Sequence, residues 1–175
     1  GLSFGHTPWS EIRAHARQVL MFGGMPARNT QVNGGGTQQH GFAGEFDACR
    51  AAGLRMVLIS PLGDDAPACD AWLPLRPTTD VALMLALAHE VIAAGRADRD
   101  FLQRYAVGWE AVQAYVTGAA DGIAKTPAWA SAITGLAEGA IRDLARSVLE
   151  LPTFIAVSWS LQRAQYGEQP YWMAI

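Results

Sequence analysis

The sequence predicts an α/β protein built on an open, mostly parallel, doubly wound sheet with helices on both faces. Two observations predict it. Four short apolar runs of strand length alternate with longer segments of helical period. Half of the 175 residues are hydrophobic, enough for one domain with a real core.

The elements follow in order along the chain. Gln18 to Phe22 is an apolar run ending in Gly23-Gly24, which reads as a buried strand entering a tight loop. Residues 30–41, with Gly34-Gly35-Gly36, read as a polar loop. Phe42 to Ala52 carries Phe42, Phe46 and Cys49 at helical spacing and stops at Gly53. Arg55 to Ser60 is a second buried strand, followed by the loop Pro61 to Asp65, and Trp72 to Leu75 is a short third one. Thr79 or Asp80 caps a long helix through about Ala94, closed by Gly95. Further helices are expected over Asp98–Tyr105, Trp109–Val116, Pro127–Thr134 and Ala137–Leu149, with Pro127 suited to a first helical turn. Thr153 to Ser158 is the fourth strand. The tail from Gly167 to Ile175 has an apolar helical pattern but is expected to be partly disordered, or to borrow a neighbour's surface, for want of its own packing partners.

Composition excludes several classes. With 17% charged residues and a formal net charge of −3, no basic face for nucleic acid is offered. The most apolar stretch, Val81 to Ala94, is interrupted by His89 and Glu90, so no run is long enough to span a bilayer. Cys49 and Cys69 are too far apart for a CxxC pair; two buried thiols fit better than a disulfide. His6, His15, His40 and His89 have no ligand spacing with each other or with the cysteines, so no metal site is read, and no catalytic triad can be assembled. Glu168 reads as a helix-start carboxylate without a catalytic role. Both ends read as cut, so the sequence is expected to be a piece of a larger protein whose targeting signal lies elsewhere.

Loops that follow parallel strands gather at one sheet edge, so Phe22–Asn29, Ser60–Asp64 and Trp159–Arg163 should converge. Thr78–Asp80 opens a helix, where backbone N–H groups and a carboxylate can both bind a ligand. The first loop lacks GxGxxG, and no GxxxxGK[ST] occurs, which argues against a standard nicotinamide or ATP site. Its glycines admit two readings: a tight turn beside a solvated Arg28, or a backbone approach to a pyrophosphate neutralised by Arg28. The Asp80 carboxylate offers two acceptors to the N1–H and amino group of guanine, and the Ser60 hydroxyl suits a ribose; an ordinary helix cap is the plain alternative. Trp159 can be a core aromatic, whereas Gln162 and Arg163 directly after a strand point to a ligand.

A resemblance ties these segments together from about Trp9 onward. Gly23-Gly24-Met25-Pro26-Ala27-Arg28-Asn29 resembles the W-G-x-N-P-x-x-N loop of the molybdopterin oxidoreductases of the dimethyl sulfoxide reductase type. Ile59-Ser60-Pro61 stands where that family has I-D-P, and Pro77 to Met84 is similar to its P-x-T-D-x-A-L-M. Asp121 to Ala130 resembles the D-G-V-x-K-T-P-x-W-A of the branch reducing dimethyl sulfoxide, trimethylamine N-oxide and biotin sulfoxide. Trp159-Ser160-Leu161-Gln162-Arg163 and Gly167-Glu168-Gln169-Pro170-Tyr171-Trp172-Met173 complete the set.

The resemblance implies a Rossmann-like, single α/β domain over residues 1–175 that holds one of two molybdopterin guanine dinucleotides, with molybdenum, in a reductase of S-oxides or N-oxides. It implies cofactor contacts from Phe22, Gly23, Gly24, Met25, Arg28 and Asn29 in the first loop. Ser60, Pro61, Thr78, Thr79 and Asp80 would lie near the guanosine, and Trp159, Ser160, Gln162 and Arg163 nearer the pterin. Asp80 is then expected to keep its carboxylate reachable by solvent, on one edge with Ser60 and Trp159. Phe22 replaces the family's Trp, and Ser60 replaces its Asp, so contacts there are rearranged. Nothing in the sequence matches the family's protein ligand to molybdenum or an iron–sulfur cysteine cluster. The chain alone is therefore expected to be inactive and empty of cofactor, with the remaining domains of the parent enzyme as its partners. The competing reading is a non-catalytic α/β domain that binds another nucleotide or a protein partner.

Overall fold

The structure, a computed structural model, describes residues 7–27 and 41–175. Arg28, Asn29 and nearly all of the predicted polar loop lie outside the described residues. The chain divides into two compact units, Gly1–Pro74 with Leu151–Leu161, and Leu75–Glu150 with Gln162–Ile175.

The first unit is built on a four-stranded, fully parallel sheet of β1 (Gln18–Phe22), β2 (Arg55–Ile59), β3 (Ala71–Leu73) and β4 (Thr153–Val157), in the order β3-β2-β1-β4. Phe22 pairs in register with both Ile59 and Val157, so the carboxyl ends of β1, β2 and β4 are level. Every residue of β1 is buried, which explains its continuous apolar run: a central parallel strand has no solvent face. On one face Val19, Met21, Met56 and Leu58 pack with Ile12 of α1 (Trp9–His15) and Phe46 and Cys49 of α2 (Phe42–Ala51). Leu20, Phe22, Val57 and Ile59, on the other face, are buried as deeply, so both faces are covered. At the amino ends the buried Gln18 amide is satisfied across three strands: it donates to Thr153 Oγ1 at 3.2 Å and accepts from Arg55 at 2.5 Å. Both cysteines are free thiols; Cys49 is buried and Cys69 only half-buried, where two buried thiols were expected.

The second unit is helical. Its axis is α3 (Asp80–Ala93), whose residues Ala82 to Leu87 are all buried, as a helix that is apolar all round must be. Packed against it are α5 (Trp109–Thr117), α6 (Pro127–Thr134), α7 (Glu138–Glu150) and α8 (Gln169–Ala174), while α4 (Arg99–Tyr105) contributes no buried residue. The α7 helix turns Ile141, Leu144 and Ala145 inward at spacings of three and four, the pattern of a half-buried helix. The α6 helix has Pro127 in its first turn, and the Thr126 hydroxyl accepts from the Trp129 N–H at 3.2 Å. One expectation is corrected. The tail after Gly167 is ordered as α8, because Pro170 is buried and the helix packs on α3.

Candidate functional site

The three strand ends do come together at one edge of the first unit. The Gly23 N–H donates to the Ile59 carbonyl at 2.9 Å, and the Ser158 N–H donates to the Phe22 carbonyl at 2.8 Å. Phe22 itself is buried beneath them, and Met25 is half-buried. Gly23 and Gly24 have φ of +73° and +84°, a left-handed backbone that glycine adopts without strain. A Cβ on Gly23 would lie 2.8 Å from Leu161 Cγ, and one on Gly24 would lie 2.6 Å from the Asp65 carbonyl oxygen. The space these glycines leave is thus taken by the neighbouring loops, which favours the tight-turn reading of the two weighed for this segment.

Ser60 is almost fully buried. Its hydroxyl donates to Asp65 at 2.5 Å, and its carbonyl accepts from the Trp72 indole at 2.9 Å. Asp65 also receives the Met25 N–H on its carbonyl at 2.6 Å, so one acidic residue ties the loops after β1 and β2 together. Asp65 was not among the residues singled out in the sequence. Its only signal there was an acidic pair, Asp64-Asp65, closing the loop after a strand. Pro61 is exposed at the start of that loop.

After β4 the chain forms a single 3₁₀ turn, Trp159–Gln162. The Ser158 and Ser160 hydroxyls are 2.9 Å apart, and the Leu161 N–H returns to the Ser158 carbonyl at 3.1 Å. The Trp159 indole is 68% exposed, which removes the core-aromatic alternative. Gln162 and Arg163 are exposed, and neither side chain has a hydrogen-bond or ion-pair partner among the described residues. A stacking ring, a hydroxyl, an amide and a guanidinium on one turn are the donor set that an extended heteroaromatic phosphate ligand requires.

In the second unit, Thr78 is exposed and holds φ at +66°, a conformation that costs a β-branched residue of order 1 kcal/mol or more. Thr79 occupies the N-cap of α3, yet its hydroxyl donates back to the Arg76 carbonyl at 2.6 Å instead of capping the helix. Asp80 is the first helical residue and is 4% exposed, so the expected solvent-reachable carboxylate is not found. Burial pushes its pKa up, and its own backbone N–H offsets part of that. Arg76 anchors the whole segment: its guanidinium donates to the carbonyls of Ala132 and Ile133 at 3.0 Å each, capping the carboxyl end of α6. Nothing in the sequence marked Arg76, since only the fold brings the two helix ends together.

The Asp121–Ala130 motif closes on Lys125. Its ammonium is buried, donates to Asp121 at 2.7 Å and to the Ile123 carbonyl, and sits 3.9 Å from the Tyr115 ring centroid. A shallow cavity of about 270 Å³ lies between α1 and the start of β4, lined by Ile12, His15, Ala16, Pro152 and Phe154. It is at the edge opposite the strand ends, away from the polar turn. No group of three or more His, Cys, Asp or Glu side chains is placed to hold a metal among the described residues, and no helix among them is long and apolar enough to cross a membrane.

A sequence model of the family described as molybdopterin oxidoreductase matches residues 8–175. Biotin sulfoxide reductase of Cereibacter sphaeroides is 45% identical over 166 residues, covering 94% of this chain and 22% of the relative. Dimethyl sulfoxide/trimethylamine N-oxide reductase of the same organism is 34% identical, with 97% and 21% covered. Trimethylamine-N-oxide reductase of Vibrio cholerae is 36% identical, with 95% and 21% covered. The chain thus spans about a fifth of the length of the curated relatives it matches. Among solved structures, acetylene hydratase from Pelobacter acetylenicus has a similar fold, with a TM-score of 0.68 and 23% identity over 93% of this chain and 21% of that one.

Proposed function

The chain belongs to the molybdopterin oxidoreductase family, and from that premise we propose that it is the cofactor-binding part of a molybdenum reductase of S-oxides or N-oxides. The family implies a molybdenum–molybdopterin cofactor; the form proposed here is the guanine dinucleotide, one of two in the whole enzyme. The observation that carries this reading is the turn after β4, where Trp159, Ser160, Gln162 and Arg163 stand exposed at the carboxyl end of a parallel strand. Relatives named as sulfoxide and N-oxide reductases support it.

Each residue then has a task. Trp159 supplies a flat apolar face, Ser160 and Gln162 hydrogen bonds, and Arg163 a fixed positive charge, all suited to the pterin end. Phe22, Gly23, Gly24 and Met25 form the wall behind that turn; Arg28 and Asn29, outside the described residues, are assigned to the phosphates on their residue chemistry alone. Ser60 and Pro61 shape the ribose side; since the Ser60 hydroxyl is committed to Asp65, it acts by fixing that loop. Thr78 and Thr79 offer the start of α3 to the guanosine end, while the buried Asp80 carboxylate acts from beneath by holding that helix start rather than by touching the guanine. When bound, the cofactor supplies the removal of oxygen from the oxide at reduced molybdenum, with water as the second product.

The test is molybdenum content and pterin fluorescence of the full-length protein purified after Arg163→Ala. Loss of a charge-assisted contact predicts about a tenfold fall in loading. Full loading of that variant, at unchanged thermal stability, would refute the assignment of the turn.

A further inference from the structure

We infer that Gly167 and Tyr171 are positioning residues, which clamp the backbone of Gln162 and so aim the Gln162 amide and the Arg163 guanidinium at the cofactor. The inference rests on reading that turn as a cofactor contact, and it concerns residues to which no role has yet been given.

The geometry is local to the second unit. Between the 3₁₀ turn and α8 the chain reverses within residues 163–168. Tyr166 takes φ of +61°, and the Gly167 N–H donates to the Ala164 carbonyl at 3.0 Å. The reversal brings Gly167, itself buried, down onto Gln162. A Cβ on Gly167 would fall 2.6 Å from Gln162 Cα and closer still to the Gln162 carbonyl group. Real Cβ atoms do not approach backbone so closely, and backbone cannot swing aside as the end of a long side chain can. Any side chain here must push Gln162 out of place. A hydrogen bond also joins the half-buried Tyr171 hydroxyl to the Gln162 backbone. Tyr171 is held in turn by α8, whose Pro170 is buried and which packs on α3.

Gln162 is thus held at its main chain by a close backbone approach and by a hydrogen bond, while its side chain and that of Arg163 remain exposed and unpartnered among the described residues. Such an arrangement does little for a core. It is what preorganisation requires: rotatable polar groups project from a backbone that cannot drift, so less ordering remains to be done when a ligand arrives.

The experiment uses the full-length protein and reads three quantities: molybdenum per chain, the visible absorption of the bound cofactor, and the thermal midpoint. Tyr171→Phe removes one hydroxyl and nothing else. We expect molybdenum content to fall by about threefold to tenfold, the worth of one hydrogen bond, with a shifted absorption band and an almost unchanged midpoint. Gly167→Ala should do the same or more, and if it fails to fold the Tyr171 variant still decides. Unchanged loading and spectrum in Tyr171→Phe overturn the inference, as does a loss of loading matched by an equal loss of thermal stability. Arg163→Ala, measured alongside, separates the two ideas. If it loses cofactor while Tyr171→Phe does not, the clamp fails and the binding turn stands; if it loads fully, the binding turn itself is wrong.

Discussion

Asp80 carries opposing demands in one side chain. It opens α3, where the unsatisfied N–H groups of the first turn favour a negative charge, yet it is 4% exposed and burial dominates. An acid whose pKa is raised on folding holds its proton more tightly in the folded state. The folded chain therefore loses nothing to this group below the ordinary Asp value of 3.8, and loses stability as pH climbs from there through the raised value. Asp80→Asn keeps the size and removes the charge. In urea unfolding, the variant should match the wild type near pH 3, where Asp is already neutral, and exceed it at pH 7. Equal stability at both pH values would show that the carboxylate pays no burial cost. Such a penalty beside the strained Thr78 is consistent with the proposed role of this helix start, since function tolerates local costs that folding alone would remove. The residue's place at a helix start was legible in the sequence from its spacing before an apolar run. Its burial was not, because burial depends on what packs over it.

At the level of elements, the apolar runs were the strongest signal, and β1, β4 and α6 begin where composition places them. Strands buried on both faces are written as unbroken apolar runs between loop residues, and such runs have few alternative readings. The start of the chain shows the limit. The α1 helix has seven residues with Ile12 alone buried, too short to show a period. The 3₁₀ turn over Trp159–Gln162 was equally invisible, since no residue preference marks three residues per turn. The Asp121–Ala130 motif was legible as a resemblance, but its physical reason appears only in the fold. Lys125 is 2% exposed, receives the faces of Tyr115 and Trp129, and holds the turn before α6 through Asp121 and the Ile123 carbonyl. A cation so enclosed gains more from the rings and the carbonyl than from a partly exposed carboxylate. Lys125→Met, which keeps the stem and removes the charge, should lower the unfolding free energy by about 2 kcal/mol. Asp121→Asn should cost clearly less. Equal losses in the two variants would assign the stabilisation to the ion pair instead.

The whole molecule is a sheet unit and a helical unit, matched along nearly all its length by relatives about five times longer. The binding turn proposed here needs only a strand end and a few polar groups, which Trp159–Arg163 offers. On the proposed function, reduction of an oxide needs more than this turn: a protein ligand to the metal, the second of the two proposed dinucleotides, and walls that hold the substrate against them. The 175-residue sequence matches no metal-ligand motif of the resembled family, and no residue of it is assigned to the substrate. For the same reason the cofactor class was legible from this sequence while the substrate was not. A dinucleotide of the proposed kind is extended, so one domain can carry several of its contacts, whereas a substrate funnel built from segments distant in sequence leaves no motif in one stretch. We therefore expect the purified 175-residue chain, given reduced viologen as donor, to turn over neither dimethyl sulfoxide, trimethylamine N-oxide nor biotin sulfoxide. The full-length protein should reduce at least one of them under the same conditions, which guards against a failed assay. Viologen oxidation by the chain alone, dependent on added oxide, would show that these residues suffice for catalysis and would overturn the division of labour proposed here.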